Sequence, residues 1–424
     1  MQRRDFLKYF GAASLASTLP GLKLWAAPQD FSGQFFVFIQ ANAGWDVTSF
    51  CDPKVNIEGE KKINNWADTS NIKQAGNIAY APFAKNTSFF ENLHDRMLVV
   101  NGINSSTNSH TAGRDYNFSG NIAKGYPSLS ALYASVHSDG FAMPCIVNGG
   151  HFRSEGVVTP TIIGRNDDTL TSLINPNVRR YNHSSLSLPE DDYNLVKQFQ
   201  LRRAQAKASD DTLLSKQAKS QQEFLAAVSN SGGFESFGEL LQSIEPGPFD
   251  LDNDFNKQAL YAILGFKSGL SIAADLNKGG FDTHSNHDID HAESLGGLTE
   301  GIECLWFLAE QLGIADRLTV MVASDFSRTP QYNGKNGKDH WPIGSTLFMQ
   351  KNAPWANKVV GTTDAKHNVL KINPDTLQPD QESGIELTPK HVMHSARQLL
   401  GIDRHSNALP FGLDIETPVD LFSS

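Results

Sequence analysis

Three histidines and three aspartates fall within ten positions in the run Asp282, Thr283, His284, Ser285, Asn286, His287, Asp288, Ile289, Asp290, His291. Imidazole nitrogens and carboxylate oxygens are preferred donors for Zn²⁺, and such clusters are unusual in an apolar core. His284, His287 and His291 are spaced i, i+3, i+7, so one helix face can carry all three. The favoured reading puts Asp282 and one or two of the histidines at a strand-to-helix turn and leaves His291 solvated; a solvated helix start with capping aspartates is the competing reading. A second constellation runs from Ser324-Asp325 through Arg328 to Lys338-Asp339-His340-Trp341. Asp325 directly follows an apolar run, which suits a metal ligand. Arg328 and Lys338 suit a bidentate anionic group. The glycine-rich stretch between them lets His340 fold back over the strand end. Asp46, in Gly44-Trp45-Asp46, stands after the first apolar run. Finally, Thr107 to Asp115 places Ser109, His110 and Thr111 where a loop enters a helix. A hydroxyl there is a candidate nucleophile, because a helix start offers free N–H groups and a dipole that favours an anion. Simple helix capping is the competing reading for Ser109 and Thr111.

These residues need elements to hold them. Gln34 to Gln40, Arg96 to Val100, Cys145 to Val147 and Leu318 to Ala323 are continuous apolar runs, which is how strands buried on both faces look. Helical stretches are expected at Tyr193 to Ala208, Asp211 to Val228, Asn256 to Leu276, His291 to Leu312 and Pro389 to Leu400. Thr388 and Pro389 open the last, and Gly401 closes it. Buried strands alternating with long helices predict an α/β chain: a doubly wound, mostly parallel sheet with helices on both faces and a helical insertion near 190–245. Ligands of such sheets bind beyond the carboxyl ends of the strands, where the polar loops above fall.

The chain has 424 residues and a formal charge of -10, with 36 Lys and Arg against 46 Asp and Glu. That sign disfavours nucleic acid and anionic membrane surfaces as partners. Three cysteines cannot build a disulfide scaffold; Cys145 and Cys304 read as small buried hydrophobes, and Cys51 is open. The start, Arg3-Arg4-Asp5-Phe6-Leu7-Lys8 followed by a short Ala- and Ser-rich apolar stretch, looks like a twin-arginine export leader over residues 1–27. It leaves one domain over 28–424, with no transmembrane segment, that is periplasmic or secreted, with the twin-arginine translocase as its partner during export. Trp45, Trp341 and Trp355 also allow a weaker reading as sugar-stacking groups.

Taken together, the twin-arginine start, Gly44-Trp45-Asp46, Asn108-Ser109-His110, Asp282-Thr283-His284-Ser285, Ser324-Asp325-Phe326-Ser327-Arg328 and Asp339-His340-Trp341-Pro342 resemble the bacterial family called domain of unknown function 1501, a branch of the alkaline phosphatase and sulfatase superfamily. The resemblance implies an alkaline phosphatase-like α/β fold. It also implies metal-dependent attack on a phosphate or sulfate ester, carried by one or two divalent ions, most simply Zn²⁺. By position, Asp46, Asp282, His284, His287, Asp325 and His340 would be metal ligands. Ser109 or Thr111 would be the nucleophile, with His110 and Arg328 beside it. The substrate would be a small anionic ester or an envelope polymer. The pattern departs from the superfamily at Phe326, where a histidine usually follows the late aspartate, so a second ion needs His110 or His340 to complete it. A non-catalytic binding or assembly protein of the envelope that keeps the hydrolase fold is the alternative.

Overall fold

The computed structural model describes residues 31–163, 174–179 and 182–423; the leader read over 1–27 lies outside the described residues. The centre is an eight-stranded sheet. In chain order its strands are β1 (Phe35–Ala41), β2 (Met97–Asn104), β3 (Cys145–Val147), β4 (Pro160–Ile162), β5 (Ala273–Lys278), β6 (Leu318–Ala323), β7 (Ile343–Gln350) and β8 (Lys358–Val360). Their spatial order is β8-β2-β7-β6-β1-β5-β3-β4. All pairings are parallel except the two made by β7, which runs against β6 and β2. The carboxyl ends of β1, β2, β5 and β6 therefore share one edge, and the amino end of β7 joins them there.

Strand β1 shows why its sequence is apolar throughout. Phe35, Val37 and Ile39 face one hydrophobic core, while Phe36 and Phe38 face another across the sheet. The first core is closed by α1 (Asn86–Leu93), α7 (Asp254–Lys267) and α8 (His287–Gln311). The second is closed by α2 (His110–Ser119), α3 (Leu129–His137) and α9 (Pro389–Leu399). This is the doubly wound α/β arrangement expected from the sequence. The cap on α9 is also as expected: Thr388 and His391 form a reciprocal capping box with Pro389 in the first turn.

Residues 190–243 form α4 (Glu190–Ala208), α5 (Ser215–Ser229) and α6 (Ser231–Ser243). Helix α4 buries only Ala204, whereas α6 sends Phe237 and Leu241 into the first core beside α7. Among the described residues, no helix is long and apolar enough to cross a membrane.

Two elements differ from expectation. The helix read over Asn256 to Leu276 stops at Lys267, the chain turns through Gly269 in the left-handed region, and Ala273–Lys278 becomes a central strand. Strand β7 carries Gly344, Ser345 and Thr346 among its apolar residues and has no clear period in the sequence. Its antiparallel course fixes where the segment before it, bearing His340, must lie.

Candidate metal centre

Residues from three loops meet at the shared strand edge. His110 opens α2 just after β2. Asp282 and His284 lie between β5 and α8, and His340 belongs to a short hairpin strand, His340–Trp341, paired with Ser327–Arg328. Two close backbone approaches make this meeting geometric. A Cβ on Gly113 would collide with the Asp325 carbonyl, and one on Gly337 would collide with the His284 backbone. Only glycine lets α2 and the hairpin come this near.

His110, Asp282 and His340 each offer a donor atom within 4.8 Å of the others. The Asp282 Oδ1 atom lies 3.6 Å from His110 Nε2, 3.5 Å from His340 Nε2 and 3.1 Å from His284 Nε2. His284 Nε2 and His340 Nε2 are 3.0 Å apart. Bonds of roughly 2.0–2.1 Å to a tetrahedral ion give donor separations of about 3.3–3.4 Å, so these spacings suit a single such ion.

The opposite ring nitrogens are all held. His110 Nδ1 meets Asp325 Oδ2 at 2.5 Å, His284 Nδ1 meets Asp339 Oδ1 at 2.7 Å, and His340 Nδ1 meets the Asn108 carbonyl at 2.8 Å. A carbonyl only accepts, so His340 Nδ1 carries the proton and its Nε2 presents a lone pair. His110 and His284 turn Nδ1 to a carboxylate in the same way, which leaves Nε2 of each facing Asp282. Burial pushes the His340 imidazole below its ordinary value, with the Asn108 carbonyl opposing. Three Nε2 atoms and the Arg328 guanidinium thus surround one carboxylate oxygen. Outer partners that orient a histidine through its far nitrogen are the usual support of a bound metal. The residues present therefore fit one divalent ion.

Asp282 is half-exposed, and partial burial would raise its pKa. The Arg328 guanidinium, 2.7 Å away, holds it below the usual carboxylate range instead. Phe326 lies against His110 and His340, with ring centres 4.7 and 4.5 Å apart. It gives the cluster an apolar wall.

Several expected roles are corrected. Asp46 is fully buried and both its oxygens are spent. Oδ1 accepts from Thr48 N–H and Oγ1, while Oδ2 meets Ser49 Oγ, Lys338 Nζ and His287 Nε2. It belongs to a separate buried ion pair, and His287 goes with it. Although burial would raise the Asp46 pKa, Lys338 and His287 hold it well below the usual range. His291 is buried rather than solvated, stacked on His287 at 4.7 Å. Asp325, expected as a ligand, is buried; its Oδ2 meets His110 Nδ1, and its Oδ1 accepts from Ala43 N–H and Ser324 Oγ.

Arg328 cannot clamp an incoming anion. It is fully buried, and its donors go to Gly44 O at 2.8 Å, Lys338 O at 3.2 Å, Ala43 O and Asp282 Oδ1. Lys338 is buried too, so neither holds a bidentate anionic group. The tryptophans do not form a stacking surface: Trp45 and Trp355 are buried, and Trp341 gives its indole N–H to the His367 carbonyl. Cys145 and Cys304 are buried free thiols as expected, and Cys51 is a third.

Ser109 is the N-cap of α2, exposed, with its hydroxyl not used as a cap; Thr111 follows in the first turn and is also exposed. Arg114, one turn further, donates Nε–H to the His110 carbonyl and is partly exposed. Sequence reasoning did not single out Asp339 and the Asn108 carbonyl as partners of His284 and His340. Adjacency of Asp339 to His340 is the one signal that pointed to the first.

A family model described as "Protein of unknown function (DUF1501)" matches residues 164–373. No curated protein matches the chain. Similar solved structures include the lipoteichoic acid synthase LtaP from Listeria monocytogenes, 11% identical, with a TM-score of 0.39 over 100% of this chain and 82% of that one. The PsFucS1 sulfatase from Pseudoalteromonas sp. is 11% identical, with a TM-score of 0.40 over 91% and 73%. TAB5 alkaline phosphatase with Mg bound is 8% identical, with a TM-score of 0.34 over 88% and 99%.

Proposed function

We propose that this chain is an exported, metal-dependent hydrolase or transferase of phosphate or sulfate esters and a DUF1501 member, with His110, Asp282 and His340 holding one divalent ion, most simply Zn²⁺, His284 beside them, and the fourth position left for the ester. The observation that carries the reading is the convergence of three Nε2 atoms, each ring held through its far nitrogen, on Asp282 Oδ1. When bound, the ion supplies Lewis-acid polarisation of an ester oxygen.

The chain's own residues do the rest. Ser109 precedes the ligand His110 and presents a free hydroxyl at the start of α2, where it is positioned as the nucleophile, with Thr111 the second hydroxyl there. The free N–H groups of the first turn of α2 favour the negative charge of a phosphoryl or sulfuryl group. Arg114 brings a fixed positive charge beside them. Phe326 keeps water from one side of His110 and His340. The substrate is a small anionic ester or an envelope polymer, met in the periplasm or outside the cell after export by the twin-arginine translocase.

Aryl phosphates and aryl sulfates assayed with Zn²⁺ test the reading. Turnover of at least one is expected, falling about 100-fold or more in Ser109→Ala, the scale on which single transition-state groups act. Metal-loaded protein that turns over neither ester class would overturn it in favour of the non-catalytic binding role.

A further inference from the structure

We propose that the Lys338 ammonium is a tethered cation seated in a preformed buried cage, and that this seat locks the hairpin carrying Asp339 and His340 over the metal centre. The second half rests on the function proposed above; the cage stands without it. Lys338 has no exposed surface. Its Nζ donates to Asp46 Oδ2 at 2.7 Å, Asn64 Oδ1 at 2.9 Å and Thr48 Oγ1 at 3.3 Å, so each N–H has an oxygen. The Tyr332 ring lies 5.1 Å from the ammonium.

The oxygens come from the loops after β1 and are held independently of the lysine. Asn64 Nδ2–H donates to the Lys54 and Thr48 carbonyls, fixing Oδ1 inward. Asp46 Oδ1 is fixed by Thr48, and His287 meets Oδ2 at 3.0 Å. A carboxylate, an amide oxygen and a hydroxyl converging in a dry site make a cation's coordination shell. Here the cation is covalently part of the chain. A buried pair of this kind is tolerated because each charge answers the other, and removing one leaves the other stranded.

The position of Lys338 gives the seat its consequence. Asp339, the next residue, orients His284, and His340, two residues on, is a proposed ligand. The Lys338 N–H also donates to the Thr283 carbonyl at 3.0 Å, joining the hairpin to the segment between Asp282 and His284. Pulling the ammonium out therefore removes a buried anchor of the segment that positions both histidines, leaving the hairpin its backbone bonds to Thr283 and Thr329. Lys338 is a positioning residue, and its seat leaves Asp46 no place for a free ion.

Lys338→Ala and Lys338→Met test this through thermal stability and Zn²⁺ affinity measured against a chromophoric chelator. Both are expected to melt below wild type. Propylammonium chloride should raise the melting temperature of Lys338→Ala saturably, and should leave wild type and Lys338→Met, whose side chain fills the space, unmoved. Zn²⁺ affinity should fall roughly 10–100-fold in Lys338→Met, the scale of an outer-shell loss, and should recover in Lys338→Ala with propylammonium. No response of Lys338→Ala to the amine would overturn the cage. Undiminished Zn²⁺ affinity in Lys338→Met would overturn the positioning role. If Lys338→Ala does not fold, the double variant Asp46→Asn/Lys338→Met, which strands no charge, carries the affinity test. Wild type that binds no Zn²⁺ would sink the metal reading, while amine rescue would still judge the cage.

Discussion

Replacing Asp282 by Asn is expected to weaken Zn²⁺ binding by at least 100-fold while leaving the apo fold intact. The substitution keeps an oxygen for Arg328 and removes the one negative charge among the converging nitrogens. Asp282 is 51% exposed, so its loss strands little in the interior. Asp325→Asn should cost less, about 10–100-fold, because it loosens His110 without removing a donor. Titration calorimetry ranks the two. Free Zn²⁺ at 100 times its dissociation constant should stabilise wild type by about 2.7 kcal/mol and leave Asp282→Asn nearly unmoved. Equal affinities in the three proteins would place any bound metal elsewhere.

The second large effect lies inside the sheet. Asp275 on β5 is fully buried, accepting from Ser130 Oγ at 2.9 Å and from the Gln40 amide. Burial pushes its pKa up to about 8, against the pull of those two donors. The folded state thus holds a proton that the unfolded chain releases near pH 4. The stability this contributes is complete below that value and is lost as pH rises toward 8. Over the three pH units from 5 to 8, the loss is about 4 kcal/mol. Asn imitates the protonated acid, with one acceptor for Gln40 and one donor for Ser130. Urea unfolding of Asp275→Asn and wild type at both pH values should show the variant gaining about 4 kcal/mol on wild type between them. Parallel pH profiles would mean that Asp275 is ionised in the folded protein.

That same aspartate explains where the sequence misled. Leu318–Ala323 and Cys145–Val147 were legible to the residue because a strand buried on both faces must be apolar throughout. Ala273–Lys278 is equally central, yet it has no β-branched residue and carries Asp275 and Asn277, so it reads as the tail of the helix before it. The cluster of side chains was legible in part. His110, Asp282, His284 and His340 were all named, and the structure brings them together. What spacing could not reveal was which acids are spent elsewhere. Asp46 and Asp325 follow buried strands just as a ligand would, but Lys338 and His110 reach them from distant segments of the chain. Neither pairing leaves a local mark. Arg328 likewise looks like an anion clamp until its donors are counted.

The most direct test of the metal centre is anomalous scattering at the zinc edge from crystals grown with Zn²⁺. The expected map has one strong peak among His110 Nε2, His340 Nε2 and Asp282, with none at Asp46. A map without that peak, or with its strongest peak beside Asp46, would contradict the account.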